Sequence, residues 1–130
     1  MAKKKTRLEV VIERWENAVR VLQALTPHER RKHFDMSQWG EKTDCGTIGC
    51  AAGHCGLDPW FRKRGFKLHF DKGSYAGEMS IDPMEFFDPE GVENIFHNSD
   101  QRSVGTVLKE IRAHIKNLKA GLVDVESGWF

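Results

Sequence analysis

Apolar residues between positions 7 and 25 fall at Leu8, Val11, Ile12, Trp15, Val19, Leu22 and Leu25, whereas Glu9, Glu13, Glu16 and Arg20 lie off that stripe. Steps of three and four mark an amphipathic helix with one face in a core. A second stripe, Val104, Leu108, Ile111, Ile115 and Leu118, runs through residues 103–121, with Ser103 placed to cap its start and Gly121 to stop it. Between them the period changes: Phe66, Leu68 and Phe70 alternate with Lys67, His69 and Asp71, and Lys72-Gly73-Ser74 turns the chain toward a run ending at Ile81. Period-two alternation around a glycine turn predicts a β-hairpin.

The four prolines repeat one device: Thr26-Pro27, Asp58-Pro59, Asp82-Pro83 and Asp88-Pro89 each set a capping side chain before a residue whose φ already suits a helix. Glu29 completes a capping box with Thr26. The pattern as a whole predicts a helix-rich α+β fold, two long amphipathic helices bracketing short helices and a small β-hairpin. With 130 residues and neither an internal repeat nor a Pro/Ser linker, residues 1–130 read as a single domain, with 1–6 and 123–130 expected to be loose tails.

Composition changes this picture little, with 39% apolar and 30% charged residues. No run suits a bilayer, and the basic start passes straight into the amphipathic pattern instead of an apolar signal segment. Three cysteines, an odd number, suit reduced thiols, so a cytoplasmic location without membrane association is expected. Charge is more informative. Residues 1–72 carry fifteen Lys/Arg and nine Asp/Glu, and residues 73–130 five and ten, so a near-neutral chain has a basic half and an acidic half. Two halves that complement each other in one fold are expected from this, over a dedicated surface for nucleic acid.

Candidate chemistry gathers in "TDCGTIGCAAGHCGLDPWFRKRGF", residues 43–66. A helix over 47–56 places Cys50 and His54 on one face and rotates Cys55 about 100° away. A zinc-stabilised domain would then use Cys45, Cys50 and His54, with a fourth ligand from His33, His69 or His97. A thiol hydrolase would use Cys45 at the helix mouth as nucleophile and His69 as base, with His97 next in order. "DCG" opening a helix resembles the start of the catalytic helix of papain-like cysteine peptidases. The third reading is packing: Gly49, Ala51, Ala52 and Gly53 let another element approach, the cysteines act as small buried hydrophobes, and His54 donates a hydrogen bond. Residue types alone favour this last reading.

Downstream, Trp60, Arg62, Lys63 and Arg64 combine an aromatic surface with three cations, and Arg30, Arg31 and Lys32 form a second triplet. Such groups either pack and solvate a helix end or offer a partner-binding face, to an acidic protein or, more weakly, to nucleic acid. Trp129, in "ESGWF", is a further partner-binding candidate.

The segment "HFDMSQWGEKTDCGTIGCAAGH" resembles one shared by a group of small uncharacterised phage and bacterial proteins. They have a leading amphipathic helix, an FDM and CGTxxCAxGH segment, an aromatic middle and a final helix. Phe34-Asp35-Met36, Cys45-Gly46-Thr47, Cys50-Ala51 and Gly53-His54 match, and Cys55 lies outside the pattern. The resemblance implies a phage or accessory context and no particular reaction. Without a convergent acid–base set or a phosphate loop, the sequence reads as a non-enzymatic interaction module that binds and modulates a host macromolecule, with a protein as the expected partner and no resident cofactor. Zinc binding and thiol hydrolysis are the alternatives.

Overall fold

Helix α1 (Arg7–Gln23) and the last helix, α7 (Val104–Lys119), pack against one another along the two stripes read from the sequence. The computed structural model describes residues 5–36, 39–43, 46–96, 102–123 and 125. Between the long helices run α2 (Pro27–Lys32), β1 (Glu41–Thr43), β2 (Gly46–Ile48), α3 (Ala51–Leu57) and α4 (Pro59–Lys63). They are followed by β3 (Leu68–Phe70), β4 (Gly77–Met79), α5 (Pro83–Phe86) and α6 (Pro89–Ile95). The fold is helix-rich α+β, as the patterning predicts.

Each proline opens a helix. Thr26, Asp58, Asp82 and Asp88 are the N-caps of α2, α4, α5 and α6, and each accepts a hydrogen bond from a backbone N–H of the first turn. Thr6 with Glu9, and Thr26 with Glu29, form full capping boxes. Helix C-termini are closed by arginines. Arg7 donates to the carbonyls of Glu85 and Phe87 and Arg14 to that of Phe86, so two guanidiniums of α1 cover the end of α5. Arg62 donates to the carbonyls of Gly56, near the end of α3, and Leu68 in β3. The bonds to Glu85, Phe86, Phe87 and Gly56 satisfy carbonyls at helix ends that a helix leaves without partners.

The core is aromatic. Trp15 has no exposed surface and lies 4.4 Å from Phe87, 5.1 Å from Phe96 and 5.2 Å from the His114 ring, centroid to centroid. Phe61, Phe66 and Phe86 continue the cluster. Helix α3 lies between α1 and β3.

The structure differs from the sequence reading at two places. The helix expected over 47–56 begins only at Ala51, because residues 46–48 form β2, antiparallel to β1 with Lys42 opposite Thr47. The β-branched pair Thr47-Ile48 suits a strand better than a first helical turn. A bridge from Glu41 to Ala76 joins this first hairpin to the expected second one, β3–β4, whose turn contains Gly73 at φ +82°. The second difference is at the ends. Gly121, at φ +75°, reverses the chain after α7, and Val123 and Val125, expected in a loose tail over 123–130, are buried in the core, while 124 and 126–130 lie outside the described residues. Thr6, also placed in a loose tail, is the N-cap of α1.

Candidate functional site

With α3 starting at Ala51, Cys50 becomes its N-cap, and its Sγ accepts from the Gly53 N–H at 3.4 Å. The helix mouth assigned to Cys45 therefore belongs to Cys50. Cys45, His97 and Trp129 lie outside the described residues, and so do the roles proposed for them. Burial pushes the Cys50 thiol up to about 11 and the Cys55 thiol well above its ordinary value, the opposite of what a nucleophile needs. The bond from Gly53 opposes that rise without cancelling it.

His54 is nine-tenths buried and donates from Nε2 to the carbonyl of His33 at 2.7 Å, with its ring stacked on Phe34. Burial lowers its pKa, so the ring is held neutral. His33 offers His54 its carbonyl, while its ring meets His28 edge-on. His69 lies on β3, exposed, opposite Glu78 of β4. Among the described residues no group of three His, Cys, Asp or Glu side chains is placed to hold a metal.

The small residues of this stretch have a measurable reason. A Cβ on Gly53 would lie 1.7 Å from the Trp39 carbonyl oxygen, and one on Gly49 2.5 Å from the same atom. A Cβ on Gly56 would lie 2.6 Å from the Leu68 nitrogen. What approaches so closely is the backbone of the 39–40 segment and of β3.

Two other arrangements carry chemical potential. The first is at the end of α4. Arg64 is exposed, and its guanidinium carbon lies 3.7 Å above the ring centre of the half-buried Trp60 while Nη1 donates to the Trp60 carbonyl. Lys63 is exposed beside it, whereas Arg62 is turned toward the carbonyls described above. Burial first, then the nearby charges of Arg7 and Arg64, lower the pKa of the Arg14 guanidinium, and Glu13 opposes them. Arg14 also covers the Phe86 ring at 3.9 Å. Like charges thus crowd one face, and the bonds of Arg14 and Arg64 go to carbonyls, with Glu13 offsetting part of the repulsion on Arg14. The Lys119–Glu16 ion pair and the 4.0 Å contact of His69 with Glu78, which join the basic and acidic halves, are at the surface.

The second arrangement is buried. Asp88, with no exposed surface, accepts from Trp15 Nε1 at 2.8 Å and His114 Nε2 at 2.9 Å on Oδ2, and from the Gly91 N–H at 2.8 Å on Oδ1. Burial alone would raise the carboxyl's pKa, but the bonds from His114, Gly91 and Trp15 and the His114 charge outweigh it, and the net shift is downward. The sequence reading took Asp88 only as a cap and passed over His114. A signal was present: His114 is three residues after Ile111 and four before Leu118, a polar residue on the apolar stripe.

No family model, curated protein or solved structure matches the chain. Among the described residues no helix is long and apolar enough to cross a membrane.

Proposed function

We propose that this chain is a non-enzymatic interaction module that docks an acidic segment of a partner protein on the face formed by Trp60, Lys63, Arg64 and Arg14. The observation that carries this reading is the Arg64 guanidinium stacked on Trp60 beside Arg14. Cations held together against their mutual repulsion, and hydrogen-bonded to carbonyls, gain when carboxylates arrive. Trp60 adds a rigid apolar surface of the kind that anchors interfaces. The resemblance to small phage and bacterial proteins suggests that the partner is a host protein whose activity is modulated, in the cytoplasm. A protein is favoured over nucleic acid because the chain is near neutral overall and the patch is local.

The test is fluorescence anisotropy with two labelled probes of equal charge, a Glu/Asp-rich peptide containing one Phe and a single-stranded oligonucleotide. The peptide should bind the more tightly, more weakly with rising salt, and about tenfold or more weakly to Arg64→Glu. Tighter binding of the oligonucleotide would move the function to nucleic acid, and indifference of peptide binding to Arg64→Glu would remove the proposed face.

A further inference from the structure

Arg14 and Arg64 are held in the same way. Each guanidinium lies over an aromatic ring, Arg14 at 3.9 Å from the centre of Phe86 and Arg64 at 3.7 Å from that of Trp60. Each also donates from Nη1 to the backbone carbonyl of that same aromatic residue. A ring beneath and a carbonyl at one corner restrain the plane of a side chain that is otherwise costly to order. The Nε and Nη2 groups, the edge of the fork that grips an oxyanion bidentately, have no bond among the described residues. The two supports belong to one row of rings: Trp60 meets Phe61 edge-on at 4.9 Å, and Phe61 lies 5.7 Å from Phe86. The two charges act on one another, and Glu13, which offsets part of the repulsion on Arg14, is itself paired with Lys5.

We propose that the acidic partner segment carries a phosphorylated side chain whose phosphate is gripped between Arg14 and Arg64, with Trp60 packed against the residues beside it. This rests on the Trp60–Arg64 face being the docking surface, and it narrows what that surface takes. A carboxylate has two oxygens and one charge, enough for a single fork. A phosphate monoester has three free oxygens and about −1.5 to −2 charges near pH 7, so it meets two forks at once and relieves two cations that repel each other. Lysines would not serve alike, since an ammonium is a point charge without a planar pair of donors. A nucleic-acid strand needs cations spaced along its course, whereas Arg62, the neighbouring arginine of α4, is turned to the carbonyls of Gly56 and Leu68. One phosphate on a peptide suits a site made of two forks.

The experiment measures fluorescence anisotropy of labelled peptides of one sequence, Gly-Glu-Phe-X-Glu-Gly, with X either phosphoserine or Asp-Asp, so that a phosphate is compared with the same charge on carboxylates. The phosphopeptide should bind the full chain about tenfold or more tightly than the Asp-Asp peptide at one ionic strength. Arg64→Lys, at an exposed position, keeps the charge and should fold as the parent does. It should weaken the phosphopeptide about tenfold and the Asp-Asp peptide less than about threefold, and Arg14→Lys should do the same. Equal affinities for the two peptides, both weakened by Arg64→Glu, would overturn the phosphate and leave the acidic docking standing, whereas indifference of both peptides to Arg64→Glu would remove the face itself. A preference for phosphate that survives in both lysine variants would overturn the grip by two forks. Free O-phosphoserine competing as well as the phosphopeptide, or a 5′-phosphorylated oligonucleotide binding more tightly than it, would overturn a phosphorylated protein as the occupant.

Discussion

Trp15 and His114 donate to the same oxygen of Asp88, at 2.8 and 2.9 Å, from helices at opposite ends of the chain. One carboxylate therefore joins α1 to α7 and, through the Gly91 N–H, fixes the start of α6. Asp88→Ala leaves these donors buried without an acceptor and removes a helix cap. The expected loss is about 3–5 kcal/mol, a large part of the stability of a domain this size. Asp88→Asn should also destabilise, since its NH2 cannot accept. Urea denaturation followed by tryptophan fluorescence measures both; a loss under about 1 kcal/mol for Asp88→Ala would mean that the network is incidental.

Acid should weaken the fold in two separate windows. His54 has a lowered pKa in the folded chain, so below its ordinary value of 6.5 the unfolded chain binds a proton that the folded chain resists. Stability from this group is intact above 6.5 and declines as pH falls from there toward the folded value. Asp88, also lowered, contributes stability that is fully present above its ordinary 3.8 and is lost as pH falls through its folded value. Unfolding free energy measured across pH should show both declines, and His54→Gln should flatten the upper one. An unchanged slope between pH 6.5 and 5 in that variant would contradict the burial argument.

Two glycine-to-alanine changes should have opposite signs. Gly53→Ala drives a methyl against the Trp39 carbonyl oxygen, which is backbone and cannot rotate away, so about 2–3 kcal/mol or more is lost. Gly105, in the first turn of α7, would place its methyl no nearer than 3.9 Å to the Ser103 Oγ. There the substitution lowers the entropy of the unfolded chain without strain and should stabilise by about 0.5 kcal/mol. Thermal melts of the two variants beside the parent decide both signs.

Truncation after Leu122 tests the docked end. Val123 and Val125 are buried and Leu122 is mostly exposed, so the chain lost after 122 carries two core side chains. Removing them should cost about 2–3 kcal/mol, at roughly 1.5 for each buried valine. A truncated chain with the parent's unfolding midpoint would show the contacts to be energetically empty.

What could be read from the sequence was what local chemistry decides. The stripes of α1 and α7, the four caps before proline and the turn at Gly73 each depend on residues a few positions apart, and all of them stand in the fold. Cys50 was harder because a short helix and a short hairpin compete over residues 46–50, and the outcome rests on β1 pairing and on the approach of residue 39. Asp88 was visible as a cap, but its partners are 73 and 26 residues away, a distance over which no local pattern extends. The docking of Val123 and Val125 likewise depends on a surface assembled from the rest of the chain.

The thiols provide the sharpest test of the packing reading of residues 43–66. With its pKa near 11, Cys50 is thiolate in on the order of one molecule in a thousand or fewer at pH 7.5, and neither Cys50 nor Cys55 has exposed surface. Cys45→Ser isolates these two sulfurs. In that variant a chromogenic disulfide such as DTNB should titrate no thiol in the native protein and two after denaturant is added, with the native reaction limited by the rate of unfolding. Raising the pH from 7 to 9 should accelerate the native reaction far less than it would a free thiol's, because access and not ionisation is limiting. Rapid titration of either cysteine in the native variant would mean that α3 opens readily, and the close contact of Gly53 with Trp39 could not then be holding it shut.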